Sequence, residues 1–390
     1  MPLKRLDLFA VTAPGIEQLT VDELRRLGVK GEIAEKGRVR FAGSASAIYA
    51  ANLHLRTASR VVLKIAQFHA SSFAELERRA KHVPWSDHIT SGGAVRFRVT
   101  CKKSRLYHSD AVVERLMTAV SRVAGDMRIS EVADDDASSE MADATQLFIV
   151  RLLNDEVSIS ADTSGALLHK RGYRAEMTRA SLRETLAAAM LLASEWKPGA
   201  PLLDPLCGSG TIPIEAVMIA RNIAPGLNRS FAFERWPSFD AELWASLKEK
   251  ASEGRDDSVM PPIIGGDRDS GAIEVSRRNA ERAGVAKAVE FQQRSLAESL
   301  AVFETAAPAR GAIVTNPPYG VRVSGGAGLK NLYGLLGSRV RERGWSLGIL
   351  TSDEKLARQS GAELKPAFRT SNGGIPVSFF TTRSSGESDE

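Results

Sequence analysis

At 390 residues, 43% hydrophobic and 25% charged, the chain is too long for one core and fits two or three ordinary globular domains. No apolar run reaches the ~18 residues of a membrane span, Pro14 and Glu17 spoil the opening segment as a signal peptide, and the two cysteines, Cys101 and Cys207, exclude a disulfide framework or a zinc site. A reducing, cytoplasmic setting without a bound metal is expected. The net charge of +5 lies wholly in residues 1–175, with 26 Lys and Arg against 21 Asp and Glu, and 26 against 26 thereafter; that suits either a polyanion held by the N-terminal part or a solvated basic surface.

The chain opens with alternating strand and helix. LDLFAVTA reads as a strand broken at Pro14-Gly15, and IEQLTVDELRRLGV has helical apolar spacing up to Gly28. RVRFAG predicts a strand, SASAIYAANLHLRTA a helix with Ser44 as N-cap, and VVLKIAQFHA another strand. These make a small α+β module over residues 1–65. A second α+β module, residues 66–165, holds a helix at FAELERRAKHV, a strand at AVRFRVTCKK and a helix at DAVVERLMTAVSRVAG opened by Asp110. The acidic DDDASSEMAD reads as a loop, and QLFIVRLLNDEVSISADTS as a hairpin with Asn154-Asp155 at its tip.

From residue 166 to 383 the rhythm becomes strand alternating with helix. The helix MTRASLRETLAAAMLLASEW precedes the strand in PLLDPLCGSG, and TIPIEAVMIARNI is the next helix. PIIGGDRD, AVEFQQRS, GAIVTNPPYG and SLGILTSD are further strands, and LKPAFRTSNGG with IPVSFFTTR closes the sheet as an antiparallel hairpin on its edge. Alternation of this kind predicts an α/β domain with a parallel sheet covered on both faces. Residues 384–390, SSGESDE, lack apolar anchors and read as a disordered tail.

Three stretches carry chemistry. DPLCGSGT, residues 204–211, is a Gly-rich turn between strand and helix, where backbone can approach a ligand and a helix N-terminus favours a carboxylate. Pro213 stands where a dinucleotide site wants a third glycine, and no lysine completes a phosphate-binding loop, so a smaller ligand with an adenosine and a carboxylate is favoured. GGDRDS follows; Asp267 can accept both hydroxyls of a ribose, while Asp269 or Ser270 can cap the next helix. TNPPYG, residues 315–320, is the most specific signal. Adjacent prolines donate no backbone hydrogen bonds, so the Asn316 side-chain oxygen and the Pro317 carbonyl can accept both hydrogens of an exocyclic amine, with Pro318 fixing the turn and Tyr319 offering a ring for a base to stack on.

In this order and spacing, DPLCGSGT, GGDRD and TNPPYG resemble the class I S-adenosylmethionine-dependent methyltransferases that act on amino groups. AVTAPGIEQLTVDELRRLG, CKKSRLYHSDAVVERL and VSISADTSGALLHKRGYR resemble the ferredoxin-like and THUMP segments of the THUMP-domain RNA methylases, nearest to the guanine-N2 methyltransferases of ribosomal and transfer RNA. The resemblance implies a ferredoxin-like domain (1–65), a THUMP RNA-binding domain (66–165) and a Rossmann-like catalytic domain (166–383). Its sheet would be mostly parallel and seven-stranded with an antiparallel last strand. It further implies that Asp204, Gly208, Ser209, Gly210 and Thr211 line the methionine part of S-adenosyl-L-methionine, that Asp267 takes the ribose, and that Asn316, Pro317, Pro318 and Tyr319 hold the target base. Where relatives place an aspartate for the adenine amine, this chain has Ser295, whose hydroxyl is the available substitute. Arg183-Glu184 is either part of the helix beside the cofactor or a surface ion pair.

Two basic clusters are candidate RNA contacts: Lys102, Lys103 and Arg105 with Tyr107 and His108, and Lys170, Arg171 and Arg174 at the domain junction. A solvated loop would read the same way. The expected partner is RNA, ribosomal (23S) in preference to transfer RNA. Adenine-N6 methylation of nucleic acid and a non-catalytic RNA-binding role are the competing readings.

Overall fold

The computed structural model describes residues 5–90, 93–124, 128–129, 145–174, 182–194, 196–307, 311–318 and 326–382. The expected acidic loop and C-terminal tail lie outside these. The chain divides into two compact units, one of residues 1–12, 21–168 and 229–249, the other of 13–20, 169–228 and 250–390.

The first unit is built on one eight-stranded sheet. Its strands are β1 (Leu6–Thr12), β2 (Gly31–Glu35), β3 (Arg38–Gly43), β4 (Ala58–His69), β5 (Ala94–Lys102), β6 (Arg128–Ile129), β7 (Thr145–Leu153) and β8 (Glu156–Asp162), in the order β2-β3-β1-β4-β8-β7-β5-β6. The helices are α1 (Glu17–Arg26, which crosses into this unit), α2 (Ala45–His54), α3 (Phe73–Ala80) and α4 (Ser109–Ala124). The boundary expected at residues 65–66 falls inside β4, whose first half pairs with β1 and second half with β8. At the β7–β8 tip Asn154 and Asp155 have φ of 52° and 63°, both left-handed as a two-residue I′ turn requires. Ser44 precedes α2 as expected, but its hydroxyl meets Ser46 Oγ at 2.7 Å instead of capping the helix. Residues 229–249 add an aromatic cluster in which Phe233 stacks on Phe231 and Tyr49 and Trp244 meets all three rings edge-on. Trp236 Nε1 donates to Gln146 Oε1 at 2.8 Å.

The second unit opens with α5 (Glu184–Ala193), then β9 (Leu202–Asp204) and α6 (Thr211–Ala220); α7 (Ala241–Glu253) leads back from the excursion. There follow β10 (Ile263–Asp267), α8 (Ser270–Arg282), β11 (Glu290–Gln293), α9 (Leu296–Ala306), β12 (Ala312–Thr315), α10 (Gly326–Arg343), β13 (Ser346–Thr351), α11 (Glu354–Gln359), β14 (Leu364–Asn372) and β15 (Ile375–Thr382). The sheet order is β11-β10-β9-β12-β13-β15-β14, parallel from β11 to β13, with β15 antiparallel to both neighbours. This is the α/β architecture that strand–helix alternation predicts. Period-two alternation sends Leu202, Ile263 and Val314 into one core and Leu203, Ile264 and Ile313 into the other, so both faces are covered. Helix α5 starts at Glu184, later than the sequence pattern suggests, with Arg183 extended as N-cap; residues 177–181 lie outside the described chain. Among the described residues no helix is long and apolar enough to cross a membrane.

Candidate active site

Ligand sites in open parallel sheets lie beyond the carboxyl ends of the strands, and the chemistry-bearing residues converge there. β9 ends at buried Asp204, which accepts from the hydroxyl of Thr315 at 2.7 Å and from the Leu206 N–H at 3.2 Å. Burial lifts the Asp204 carboxyl to about 7; those two hydrogen bonds oppose the rise and the charge of Asp267 adds to it. The chain then turns through Gly208 and Gly210, at φ of 53° and 81°. A Cβ on Gly210 would sit 2.8 Å from the Phe291 ring and 3.0 Å from Ser276 Cβ, so this position tolerates only glycine. At Gly208 no described residue apart from its chain neighbours lies within 4 Å of where a Cβ would stand, which leaves that side of the turn open for a ligand.

Side chains from α8 hold the turn: Ser276 Oγ donates to the Gly208 carbonyl at 2.7 Å and Asn279 Nδ2 to that of Ser209 at 3.0 Å. Asp267, ending β10, accepts the Gly208 and Asp269 N–H groups, each at 3.0 Å, one on each oxygen. Each oxygen keeps a lone pair for a hydroxyl. Asp269 caps α8 through the Gly271 N–H at 2.9 Å.

β12 delivers Asn316 beside this turn. Its side-chain Oδ1 is buried and has no hydrogen-bond partner among the described residues. A buried acceptor left empty costs about 1–3 kcal/mol, and an incoming amine would fill it. Pro317 is buried and Pro318 exposed; Tyr319 lies outside the described residues. Thr315 joins the two halves of the site, since the residue before Asn316 is bonded to Asp204. A polar residue ending the apolar run AIVT is the signal that could have marked it.

Several expectations need correction. Ser295 spends its hydroxyl on a capping box for α9, accepting from the Glu298 N–H at 3.3 Å and donating to Glu298 Oε2 at 2.8 Å, so it is committed to helix geometry. Arg171 and Arg174 are not phosphate contacts on the surface. Arg171 Nε pairs with Glu215 Oε1 at 3.3 Å, where Tyr173 also donates at 3.1 Å, all three buried. Arg174 pairs with Glu184 at 3.5 Å and donates to Thr211 Oγ1 and, at 3.0 Å, to the Leu182 carbonyl. Glu184 is therefore a buried acid partnered by Arg174, not one end of a surface pair with Arg183. Burial and the surrounding arginines, Arg183 first, push the His169 imidazole down to about 3, which keeps it neutral.

Lys102, the last residue of β5, and Lys103 and Arg105 in the turn that leads to α4 are exposed. The turn is tied to the β7–β8 tip: the Arg105 N–H donates to Asp155 Oδ1 at 2.7 Å and the Asp155 N–H to Ser104 Oγ at 3.0 Å. Beside it Tyr107 is 69% exposed, its ring 4.1 Å from that of His108. Lys170 is half-buried.

A parallel sheet with one antiparallel strand, a Gly-rich turn after β9, an acid ending β10 and Asn-Pro-Pro ending β12 define a class I methyltransferase, and the open turn with Asp267 fits S-adenosyl-L-methionine as methyl donor. Residues 171–377 match the RMKL-like methyltransferase domain family and residues 7–62 the RlmL ferredoxin-like domain, and the chain belongs to the RMKL-like methyltransferase family. It is 35% identical over 379 residues to "Ribosomal RNA large subunit methyltransferase K/L" of Syntrophotalea carbinolica, covering 95% of this chain and 52% of that one; the chain thus spans about half the length of this relative. It is 34% identical to "Putative RNA methyltransferase YpsC" of Bacillus subtilis over 97% of this chain and 96% of that one. The solved structure "Crystal structure of SMU.472, a putative methyltransferase complexed with SAH" superposes with a TM-score of 0.84 at 32% identity, covering 99% of this chain and all of that one.

Proposed function

We propose that the protein transfers a methyl group from S-adenosyl-L-methionine to the exocyclic N2 amine of a guanine in RNA, in 23S ribosomal RNA in preference to transfer RNA, in the cytoplasm. The observation that carries this reading is the buried Oδ1 of Asn316 at the end of β12, which has no hydrogen-bond partner among the described residues and is joined through its neighbour Thr315 to Asp204 at the cofactor turn. Guanine N2 is a weak nucleophile because its lone pair is delocalised into the ring. Asn316 Oδ1 and the Pro317 carbonyl accept its two hydrogens and favour a more tetrahedral nitrogen. The bound cofactor supplies an electrophilic methyl on sulfur. Asp204, through Thr315, keeps the end of β12 in register with the Gly-rich turn, so alignment carries the catalysis; ideal alignment contributes roughly 7–11 kcal/mol. No separate base is required, since the nitrogen proton becomes acidic on alkylation. A base stacked in a helix cannot enter such a pocket, so the target is unpaired or flipped out. RNA is supported by the names of the two relatives and by the exposed Lys102, Lys103, Arg105 and Tyr107. The large-subunit name of the first supports ribosomal RNA.

The test is incubation of the purified protein with radiolabelled S-adenosylmethionine and total RNA from a strain lacking it, followed by nucleoside analysis. N2-methylguanosine in 23S rRNA is the expected product. Label in N6-methyladenosine keeps the mechanism and overturns the base; label in transfer RNA overturns the substrate. Absence of label in RNA, with cofactor bound, overturns the activity.

A further inference from the structure

We propose that Glu184 binds the α-ammonium group of the cofactor's amino-acid end, held in place for that purpose by Arg174. The inference rests on the reading that Ser209 and Thr211 line the methionine part of the site. Glu184 heads α5, and its side chain is only 2% exposed. One oxygen, Oε1, lies 3.5 Å from Arg174 Nε; the other, Oε2, is buried with no hydrogen-bond partner among the described residues. The same guanidinium donates to the hydroxyl of Thr211, the first residue of α6, and that hydroxyl is 3.4 Å from Ser209 Oγ. A single arginine therefore ties the buried acid to the end of the Gly-rich turn. A carboxylate oxygen without donors is costly inside a protein and is relieved by a charged donor. The methionine end of the cofactor presents both groups that this arrangement complements. Its ammonium carries three donors for Oε2, and its carboxylate suits the α6 N-terminus with its two hydroxyls. The other buried acid of the network, Glu215, is one helical turn further along α6; its Oε1 accepts from both Arg171 and Tyr173. Its Oε2, like that of Glu184, has no partner among the described residues, but only Glu184 shares its arginine with Thr211 at the end of the turn. The role of Glu215 is to anchor the segment that carries Arg174.

Calorimetric binding of S-adenosylhomocysteine and of its deamino analogue, in which hydrogen replaces the ammonium, tests the assignment on the full chain. Wild type should bind the parent compound about tenfold or more tightly than the analogue, the size of one buried charge-assisted hydrogen bond. Glu184→Gln should abolish that preference by weakening the parent compound alone, whereas Glu215→Gln should change both ligands by the same factor. Equal affinities in wild type overturn the assignment even if the variants do not fold. A preference that survives in Glu184→Gln, or one lost in Glu215→Gln, overturns it as well. Failure of wild type to bind either ligand overturns the cofactor-site reading itself, and the assignment with it.

Discussion

Asn316 and Asp204 lie one residue apart through the Thr315 bridge, and burial acts on them in different ways. Asn316 cannot ionise, so its Oδ1, without a partner among the described residues, is a standing cost that an incoming amine relieves. Asn316→Ala should therefore lower single-turnover methylation by roughly 10²–10³-fold, the scale of one lost transition-state contact. It should leave S-adenosylhomocysteine affinity within about twofold and thermal stability equal or higher. Equal losses of turnover and cofactor binding would sink this role. Asp204 can ionise, and its carboxyl is raised to about 7 by burial, from 3.8. Between those values the folded state holds a proton that the unfolded state has released, so the contribution of Asp204 to stability falls as pH rises from about 4 to about 7 and is flat above. Asp204→Asn keeps an acceptor for Thr315 and lacks that proton. In cofactor-free protein its stability relative to wild type should rise across the window, by an amount on the order of a few kcal/mol. Chemical denaturation at pH 5 and pH 8 measures this, and an unchanged difference would mean that Asp204 is ionised throughout.

At the scale of elements, what the sequence made legible was whatever depends on neighbours along the chain. Asn154-Asp155 and Gly373-Gly374 announce their hairpins because both central residues of a two-residue I′ turn take positive φ, as these four do. The apolar runs around Leu202, Ile263 and Ile313 announce strands covered on both faces. Gly208 and Gly210 were legible for the same local reason. Illegible were the interactions that join distant segments: Arg171 reads as a free cation because its acid partner, Glu215, is 44 residues away. The excursion of residues 229–249 into the first unit has no marker of its own, only aromatic residues that would suit any core. Ser295 is a case of two local meanings for one residue, a strand-end ligand or the first residue of a Ser-x-x-Glu capping box, and helix termination prevails. Ser295→Ala should accordingly cost about 1 kcal/mol of stability, as lost caps do. S-adenosylhomocysteine affinity should not change; a tenfold loss of it with stability intact would restore Ser295 to the cofactor site.

For the molecule as a whole, the charge excess of +5 within residues 1–175 has to be divided between cations that are free to meet a polyanion and cations that are already spent. Arg60, Arg171 and Arg174 are spent, each buried against Asp162, Glu215 or Glu184. Removing one strands a carboxylate in the interior, at about 3–5 kcal/mol for a buried pair, so its effect on RNA binding would be indirect, through unfolding. Lys102, Lys103 and Arg105 are of the other kind: exposed, beside a turn hydrogen-bonded to a hairpin tip, with only Arg105 near an acid among the described residues, Asp155 at 3.8 Å. Counterion release makes the two kinds separable. Each cation that meets a phosphate contributes about 0.7–0.9 to the slope of log affinity against log salt concentration. The triple substitution of Lys102, Lys103 and Arg105 by Ala should lower RNA affinity and flatten that slope by about 2–3, with the unfolding midpoint unchanged. Arg171→Ala should do the reverse, lowering the midpoint while leaving the slope of the folded fraction alone. Affinity titrations from 50 to 300 mM KCl on both variants would decide it, and a triple variant with the wild-type slope would remove this turn from the RNA interface.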